Sequence, residues 1–375
     1  MPDGISQQAI TQELRRRIQT AQYVVGQRIP PERELQQEFG CSRLTVAKAM
    51  APLVADGTVR RHKGRGSFVV KGVSPTAVPV HGRPVARGNV IKYVSPGHET
   101  NVKSLRDDVL GSLHSILSPI GYHVSVDFYG SAEEHVACLG RVRDPQIAGA
   151  VLWPLPDPRA TELIRELSES DVPIVLIDTY VPGVDCDYVV GDNIEGAAGM
   201  VAHLAGLGHR RICYLTRPPT RTSLRDRLSG FVRGMIEAGL PLGAESVVQV
   251  GSESDPYAGL GDALESVLSR PDPPTALFAS HDSLAIAVRD WLCGRGYSIP
   301  GQIALAGYDG IDAALYGSPA ITTMEQDFAR MAADAARILL ERFDGRPAAL
   351  RHQRHVLPRL CVRGSTVSTE KGNAQ

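Results

Sequence analysis

Apolar positions along this chain change their period once, and the change divides it in two. In the first part they recur at helical spacing: Ile10, Leu14 and Ile18, then Leu35 and Phe39, then Val46, Ala49, Met50 and Leu53. Gly40 closes the second of these segments and Ser42 is a good N-cap for the third, so the pair predicts a helix-turn-helix. Capping at Ser42 and burial of Val46, Ala49 and Leu53 leave Arg43, Thr45 and Lys48 to face outward. Thr58–His62 and Ser67–Val70 follow as strand-like runs, joined by the basic glycine turn Lys63-Gly64-Arg65-Gly66, which can approach a phosphate backbone closely. Together these elements predict a winged helix.

Beyond Val90 the pattern becomes one of short apolar runs alternating with helical stretches. Strands are expected at Val90–Val94, Val124–Phe128, Ala150–Trp153, Ile174–Ile177, Ile212–Leu215, Val247–Val250, Ala276–Ala279 and Ile303–Ala306. Helices are expected near Ser104–Leu117, Pro158–Ser168, Ile194–Leu207, Leu224–Ala238, Gly259–Leu268 and Ser283–Cys293. This alternation means parallel sheets covered on both faces, an α/β architecture. Periodicity alone allows either one closed barrel or two doubly wound lobes. Between the two parts, Val73–Pro84 is proline-rich, lacks helical period and reads as a linker. The expected boundaries are therefore a winged-helix head over 1–72, a linker over 73–88, an α/β body over 89–367, and a disordered tail over 368–375.

Composition narrows the class. With 43% hydrophobic and 22% charged residues, the 375-residue chain is of ordinary globular type. It has no apolar run long enough to span a membrane, and its N-terminal residues lack the apolar core of a signal peptide. The expected location is the cytoplasm. Six scattered cysteines with no Cys-x-x-Cys pair read as reduced bystanders. Net charge is −1, yet residues 1–72 hold 12 Lys and Arg against 6 Asp and Glu. A basic head on an acidic body points the head alone at a polyanion. Arg15-Arg16-Arg17 lies on the first helix and reads as a solvated face. The chain has no phosphate-cradling Gly-x-x-x-x-Gly-Lys, no His-Glu-x-x-His and no Gly-x-Ser-x-Gly, and the spacing of His203 and His209 does not suit a helical metal pair. An enzyme is not expected, and no cofactor or metal is called for.

Gly26-x-Arg28-Ile29-Pro30-Pro31-Glu32-Arg33-Glu34-Leu35, Ser42-Arg43-x-Thr45-Val46, Asp56-Gly57 and Gly64-x-Gly66-Ser67-Phe68-Val69 closely resemble the DNA-binding domain of GntR-type bacterial transcription regulators. The resemblance implies that Arg33 holds a phosphate or reaches the groove. Ser42, Arg43 and Thr45 would open the recognition helix, with Lys48 further along it, and Lys63, Arg65 and Gly66 would form the wing. A solvated helix surface is the ordinary role for Arg33 and Lys48. Many GntR-type proteins carry arginine where this chain has Ala47, so its base preference is expected to differ.

Asp192-Asn193-x-x-Gly196-Ala197, Gly208-His209-Arg210-Arg211-Ile212, Arg227-Leu228-x-Gly230-Phe231 and Gly307-Tyr308-Asp309, followed by Ile321-Thr322-Thr323-Met324-x-Gln326-Asp327-Phe328, look like the effector domain of LacI/GalR repressors. The resemblance runs from about Val90 to Thr366 and includes a final strand within His355–Thr366. It implies a periplasmic-binding-protein-like fold of two lobes with a small ligand in the cleft. A GntR-type head on such a body is the arrangement of arabinose-repressor-like regulators. Sugars present adjacent hydroxyls that an arginine or carboxylate can grip, and C–H faces that aromatic rings can cover. Arg227 and Asp309 are the firmest pocket residues on this resemblance, although an ion pair or turn chemistry would also account for them. Trp153 and Asp178 sit at the carboxyl ends of strands, where open α/β sheets hold ligands. His281, Tyr257, Gln326 and the Ser95–His98 loop, with Ser95 and His98 at its ends, are further candidates. The expected function is a homodimeric, sugar-controlled repressor of carbohydrate-use genes, with operator DNA and a small-molecule effector as partners. Its alternative is a sugar-binding protein of a transport or sensing system, which the head's motif opposes.

Overall fold

The computed structural model describes residues 7–19, 23, 28–62, 66–70, 88–97, 103–251, 255–345 and 350–366. Lys63, Arg65, His98, the linker up to residue 87 and the tail over 368–375 lie outside the described residues. The chain divides into two compact units, Met1–Ala86 with Ser112–Tyr122, and Arg87–Gly111 with His123–Gln375.

In the first unit, helices α1 (Gln7–Gln19), α2 (Glu32–Phe39) and α3 (Arg43–Ala55) bury the apolar positions expected of them. Ile10, Leu14, Leu35, Val46, Ala49 and Leu53 are fully buried in one cluster. Gly40 takes φ +59° and donates its N–H to Gln36 O, the left-handed ending that a glycine makes inexpensive. Pro52 inside α3 cannot bond the carbonyl of Lys48, and the Gln7 side-chain amide donates to that carbonyl instead, at 3.2 Å. Strands β1 (Arg28–Ile29), β2 (Val59–His62) and β3 (Gly66–Val69) form an antiparallel sheet in the order β1-β3-β2. The short β1 was not expected; it pairs Arg28 and Ile29 with Phe68 and Ser67 and buries Ile29.

In the second unit the chain forms two six-stranded sheets, not one barrel. The first contains β4 (Val90–Pro96), β5 (His123–Tyr129), β6 (Ile147–Leu152), β7 (Ile174–Ile177) and β8 (Asp187–Gly191). The second contains β9 (Ile212–Thr216), β10 (Val247–Gln249), β11 (Ala276–Ala279), β12 (Ala304–Asp309) and β13 (Thr322–Glu325). Each sheet then receives one late strand. β14 (Gln353–Val356) joins the first beside β8, and β15 (Arg359–Cys361) joins the second antiparallel to β13. The single final strand expected from the sequence is thus two strands in different sheets. Pro358 between them lacks an N–H and so cannot extend a ladder. The chain passes between the lobes after β8, after β13 and between β14 and β15.

The helices after β6, β9 and β11 are α6 (Pro158–Ser168), α8 (Thr222–Glu237) and α10 (Asp282–Gly294), close to their expected spans. α4 (Lys103–Leu117), α7 (Asn193–Gly206) and α9 (Leu260–Leu268) also match. Two helices were not expected, α5 (Ala132–Gly140) and α11 (Phe328–Phe343). Each lobe has its own core. Val94, Leu152, Ile164 and Leu176 belong to the first, and Met200, Tyr214, Phe231 and Phe278 to the second. Among the described residues, no helix is long and apolar enough to cross a membrane.

Candidate functional site

On the head, the outward residues of the helix-turn-helix are open. Arg33 and Lys48 are exposed, and the Arg43 side chain is 80% exposed with only a long contact to Glu32, 3.3 Å. Ser42 accepts the N–H of Thr45 at 3.1 Å, and the two hydroxyls lie 2.8 Å apart. The serine therefore caps α3 and fixes the side chain of the neighbouring threonine. Gly66 opens β3 opposite His62. The arginine run on α1 lies at the surface as expected, with the Arg15 and Arg16 side chains 43% and 55% exposed, and it also pairs within the head. Arg15 pairs with Asp56 at 2.7 Å and Arg17 with Glu38 at 2.5 Å, tying α1 to α3 and α2. Arg33, Arg43 and Lys48 are among the exposed cations of the head, beside Arg60 on β2. Sequence reasoning missed Leu44, which is 64% exposed between Arg43 and Thr45. An apolar side chain there can meet a thymine methyl.

The body contains a cleft of about 600 Å³, counting space open to solvent. Its walls come from the carboxyl ends of strands in both sheets: Pro96 and Trp153 in the first lobe, Asp178 after β7, and Asp309 at the end of β12. Trp153 stacks on Phe328 with centroids 5.5 Å apart, giving the cleft an aromatic wall. Asp178 and Asp309 hold φ of +66° and +107°, conformations unfavourable to any residue with a Cβ and found where a strand end must aim a side chain.

Arg227 organises the opposite wall from the second turn of α8, where it is 3% exposed. Its Nε donates to Asn193 Oδ1 at 2.8 Å, its Nη1 to Ser280 O at 2.7 Å, and its Nη2 to Asp309 Oδ1 at 2.8 Å. The guanidinium also lies over the Tyr308 ring, 4.0 Å from its centroid. Gln326 does not line the cleft but donates to Asp309 Oδ1 at 3.0 Å, holding the carboxylate from behind. Burial pushes the Asp309 carboxyl up to about 6 against the pull of Arg227, and raises Asp178 despite Arg227 and Arg221. Behind them, fully buried Asp282 accepts the N–H groups of Gly310 and Ile311 at 2.8 and 3.0 Å and the Thr323 hydroxyl at 2.7 Å. The loop carrying Asp309 is thereby clamped to α10. A Cβ at Gly307 would meet Asp282 Oδ1 at 2.2 Å, so glycine permits that approach.

His281 lines the cleft, its Nδ1 2.9 Å from Ser280 Oγ. Burial, with the guanidiniums of Arg217, Arg227 and Arg221, holds its imidazole well below the ordinary range, so it is neutral at pH 7. Tyr257 stands apart from the cleft lining. It is 37% exposed, and its hydroxyl donates to Ser283 O at 3.4 Å. Ser95 is buried next to the lining residue Pro96, and its hydroxyl has no partner among the described residues. The structure thus gathers Trp153, Asp178, Arg227, His281 and Asp309 around one cleft, with Gln326 and Ser95 behind it. Sequence reasoning missed Arg217, Arg221 and Ser223 on the lining, and Asn193 and Asp282 in support. The available signal was position: Arg217 follows β9 directly, and Arg221 and Ser223 begin α8.

Residues 6–69 match the gntR family of bacterial regulatory proteins, and residues 201–366 match the periplasmic binding protein-like domain. The chain is 25% identical over 366 residues to the arabinose metabolism transcriptional repressor of Halalkalibacterium halodurans, covering 93% of each protein. It is 32% identical over 184 residues to the HTH-type transcriptional repressor PurR of Vibrio vulnificus, covering 48% of this chain and 54% of that one. Among solved structures it resembles a transcriptional regulator CelR–cellobiose complex, with a TM-score of 0.65 at 22% identity over 90% of this chain and 100% of that one. It also resembles the transcription regulator CcpA of Lactococcus lactis, with a TM-score of 0.65 at 19% identity over 75% of this chain and 100% of that one.

Proposed function

We propose that this chain, in which a gntR-family head is joined to a periplasmic binding protein-like body, is a transcriptional repressor whose hold on operator DNA is set by a carbohydrate in the body's cleft. The observation that carries this reading is the cleft's composition. Two carboxylates at positive φ face an aromatic wall, and a buried arginine fixes one of them. Carboxylates accept pairs of sugar hydroxyls, and the Trp153–Phe328 wall covers C–H faces. The 93% coverage of an arabinose metabolism repressor supports the same assignment. A transport or sensing protein without DNA binding would have no use for the exposed Arg33, Arg43 and Lys48 on a helix-turn-helix.

In the proposed mechanism the chain acts as a homodimer, with heads over 1–72, linkers over 73–88 and effector domains over 89–367. A carbohydrate that binds one arrangement of the two lobes better than the other shifts the equilibrium between them. Paired heads read half-sites about 34 Å apart, so a small change in their spacing suffices to release the operator. Linkage requires reciprocity: operator DNA must weaken carbohydrate binding by the factor by which carbohydrate weakens DNA binding. Calorimetric titration of the full chain with and without an operator duplex measures this. Equal carbohydrate affinity in both titrations, with the duplex bound throughout, would overturn the scheme.

A further inference from the structure

Helix α3 is apolar on both faces. Of its 13 residues only Arg43, Thr45 and Lys48 are polar. Val46, Ala49, Met50 and Leu53 face the core of the head, and the side turned away from them carries Leu44, Lys48, Ala51 and Ala55 at i, i+4, i+7 and i+11, all four exposed. A helix with apolar residues all round is ordinarily buried all round. Here the outer ridge is open, and Leu44 at its N-terminal end is 64% exposed. Among the described residues of the head no other large apolar side chain is exposed.

The charge around the ridge narrows what can cover it. Arg43, with its side chain 80% exposed, precedes Leu44 in the first turn, and Lys48 is exposed one turn on. Residues 1–72 hold 12 Lys and Arg against 6 Asp and Glu. An apolar partner would have to strip water from these cations, whereas a polyanion is drawn to them. The partner that fits is therefore a polyanion that also presents an apolar group at contact depth. The major groove of DNA is such a surface, because thymine places its C5 methyl among the hydrogen-bonding atoms of the base edges.

We propose that Leu44 is a specificity-determining residue of the head, which reads thymine by packing on its C5 methyl, so that each half-site carries a thymine at a fixed position opposite the first turn of α3. This rests on the DNA-binding reading of the head and adds what that surface recognises. The N-terminal residues of the second helix are the ones a helix-turn-helix brings to base edges, and Leu44 has no donor or acceptor with which to read any other group there. Its neighbours on the ridge do not replace it. The Lys48 ammonium is a strongly hydrated point charge suited to phosphate, and Ala51 and Ala55 offer no hydrogen bond to a base. The Thr45 hydroxyl lies 2.8 Å from Ser42 Oγ, within the cap of the helix.

The test begins with selection of bound sequences by the full chain from a pool of random duplexes. The preferred duplex is then resynthesised with deoxyuridine in place of thymine, one position at a time, which removes the methyl and keeps every hydrogen-bonding atom. At one or two positions in each half-site uracil should weaken binding by roughly fourfold, the worth of one buried methyl group. Leu44→Ala should bind the thymine and uracil duplexes alike at those positions, with an unchanged thermal transition because the side chain is exposed. Leu44→Gln, whose amide pairs with adenine, should enrich a different base there when the selection is repeated, and leave the other positions as they were. The uracil scan on the parent chain needs no variant to fold. Tolerance of uracil at every position while the duplex stays bound, or a uracil penalty that survives in Leu44→Ala, would overturn the methyl reading and leave DNA binding standing. A pool with no enriched sequence, and no duplex bound even at low salt, would remove both.

Discussion

The head and the cleft solve recognition in opposite ways. On the head the residues proposed to meet DNA are exposed: Arg33, Arg43 and Lys48 point outward from helices whose stability comes from Leu35, Phe39, Val46 and Leu53 on the other face. In the cleft the recognition groups are part of the fold. Arg227, Asp178 and Asp309 sit among carbonyls, amides and each other, with Asp282 clamping the loop from behind. A DNA duplex brings a polyanion that surface cations attract through water, whereas a small ligand must be gripped in a partly dry cavity by groups already aimed. The first arrangement separates stability from function, and the second couples them.

The largest effect expected from this contrast is at Arg227. Replacing it with alanine removes three donors at once and leaves Asp309, 17% exposed at its side chain, without its cation. Removing one partner of a buried pair costs roughly 3 kcal/mol, so Arg227→Ala should lower the body's unfolding free energy by about that amount and abolish effector binding. Denaturant unfolding monitored by tryptophan fluorescence measures the first and calorimetry the second. An Arg227→Ala variant as stable as the parent chain would dissolve the contrast, because the cleft would then be as detachable from the fold as the head's surface.

Arg43 is the matching probe on the head, with a smaller expected effect. Its contact with Glu32 is long and 80% of the side chain is exposed, and exposed pairs of this kind contribute little to stability. Arg43→Ala should leave the unfolding transition and effector affinity unchanged and weaken operator binding by about 1–3 kcal/mol, the worth of a good base contact. Gel-shift titration at fixed salt, beside a thermal scan, checks both halves. Loss of stability together with DNA binding would mean that the head, too, builds its fold from its recognition residues.

How much of this was legible in the sequence follows from where each element gets its stability. Strands at Ile174–Ile177 and Ala276–Ala279 are apolar throughout because both faces are covered, so the residues alone located them. β8 and β13 escaped because their polar residues are satisfied only in three dimensions. Asp187 accepts two bonds from Arg342, at 2.6 and 2.7 Å, and Thr322 and Thr323 bond with Thr366 and Asp282. α11 escaped because Ala332, Ala333, Ala335 and Ala336 blur its apolar stripe, although all four are buried. Among cleft residues, Arg227 and Asp309 were legible through family motifs, whereas Arg217 and Arg221 flank the turn Pro218-Pro219-Thr220 with no period of their own. Only the placement of the end of β9 and the start of α8 beside the cleft brings those two arginines to its lining.

Ser42 crosses the boundary between the two regions, and its substitutions carry the smallest expected effects. It lies on the exposed face of the head, yet it accepts the N–H of Thr45 and thereby begins α3, the proposed recognition helix. Loss of an N-cap acceptor costs about 1 kcal/mol, so Ser42→Ala should lower the head's melting transition modestly and weaken operator binding only through that loosening. Ser42→Asp supplies an equally good cap and favours the positive end of the helix, so it should restore the melting transition. The same carboxylate faces DNA phosphates, however, and operator binding should fall further instead of recovering. Thermal scans and gel shifts on the two variants separate these contributions. Recovery of DNA binding by Ser42→Asp would mean that Ser42 acts only as a cap and stands clear of the duplex.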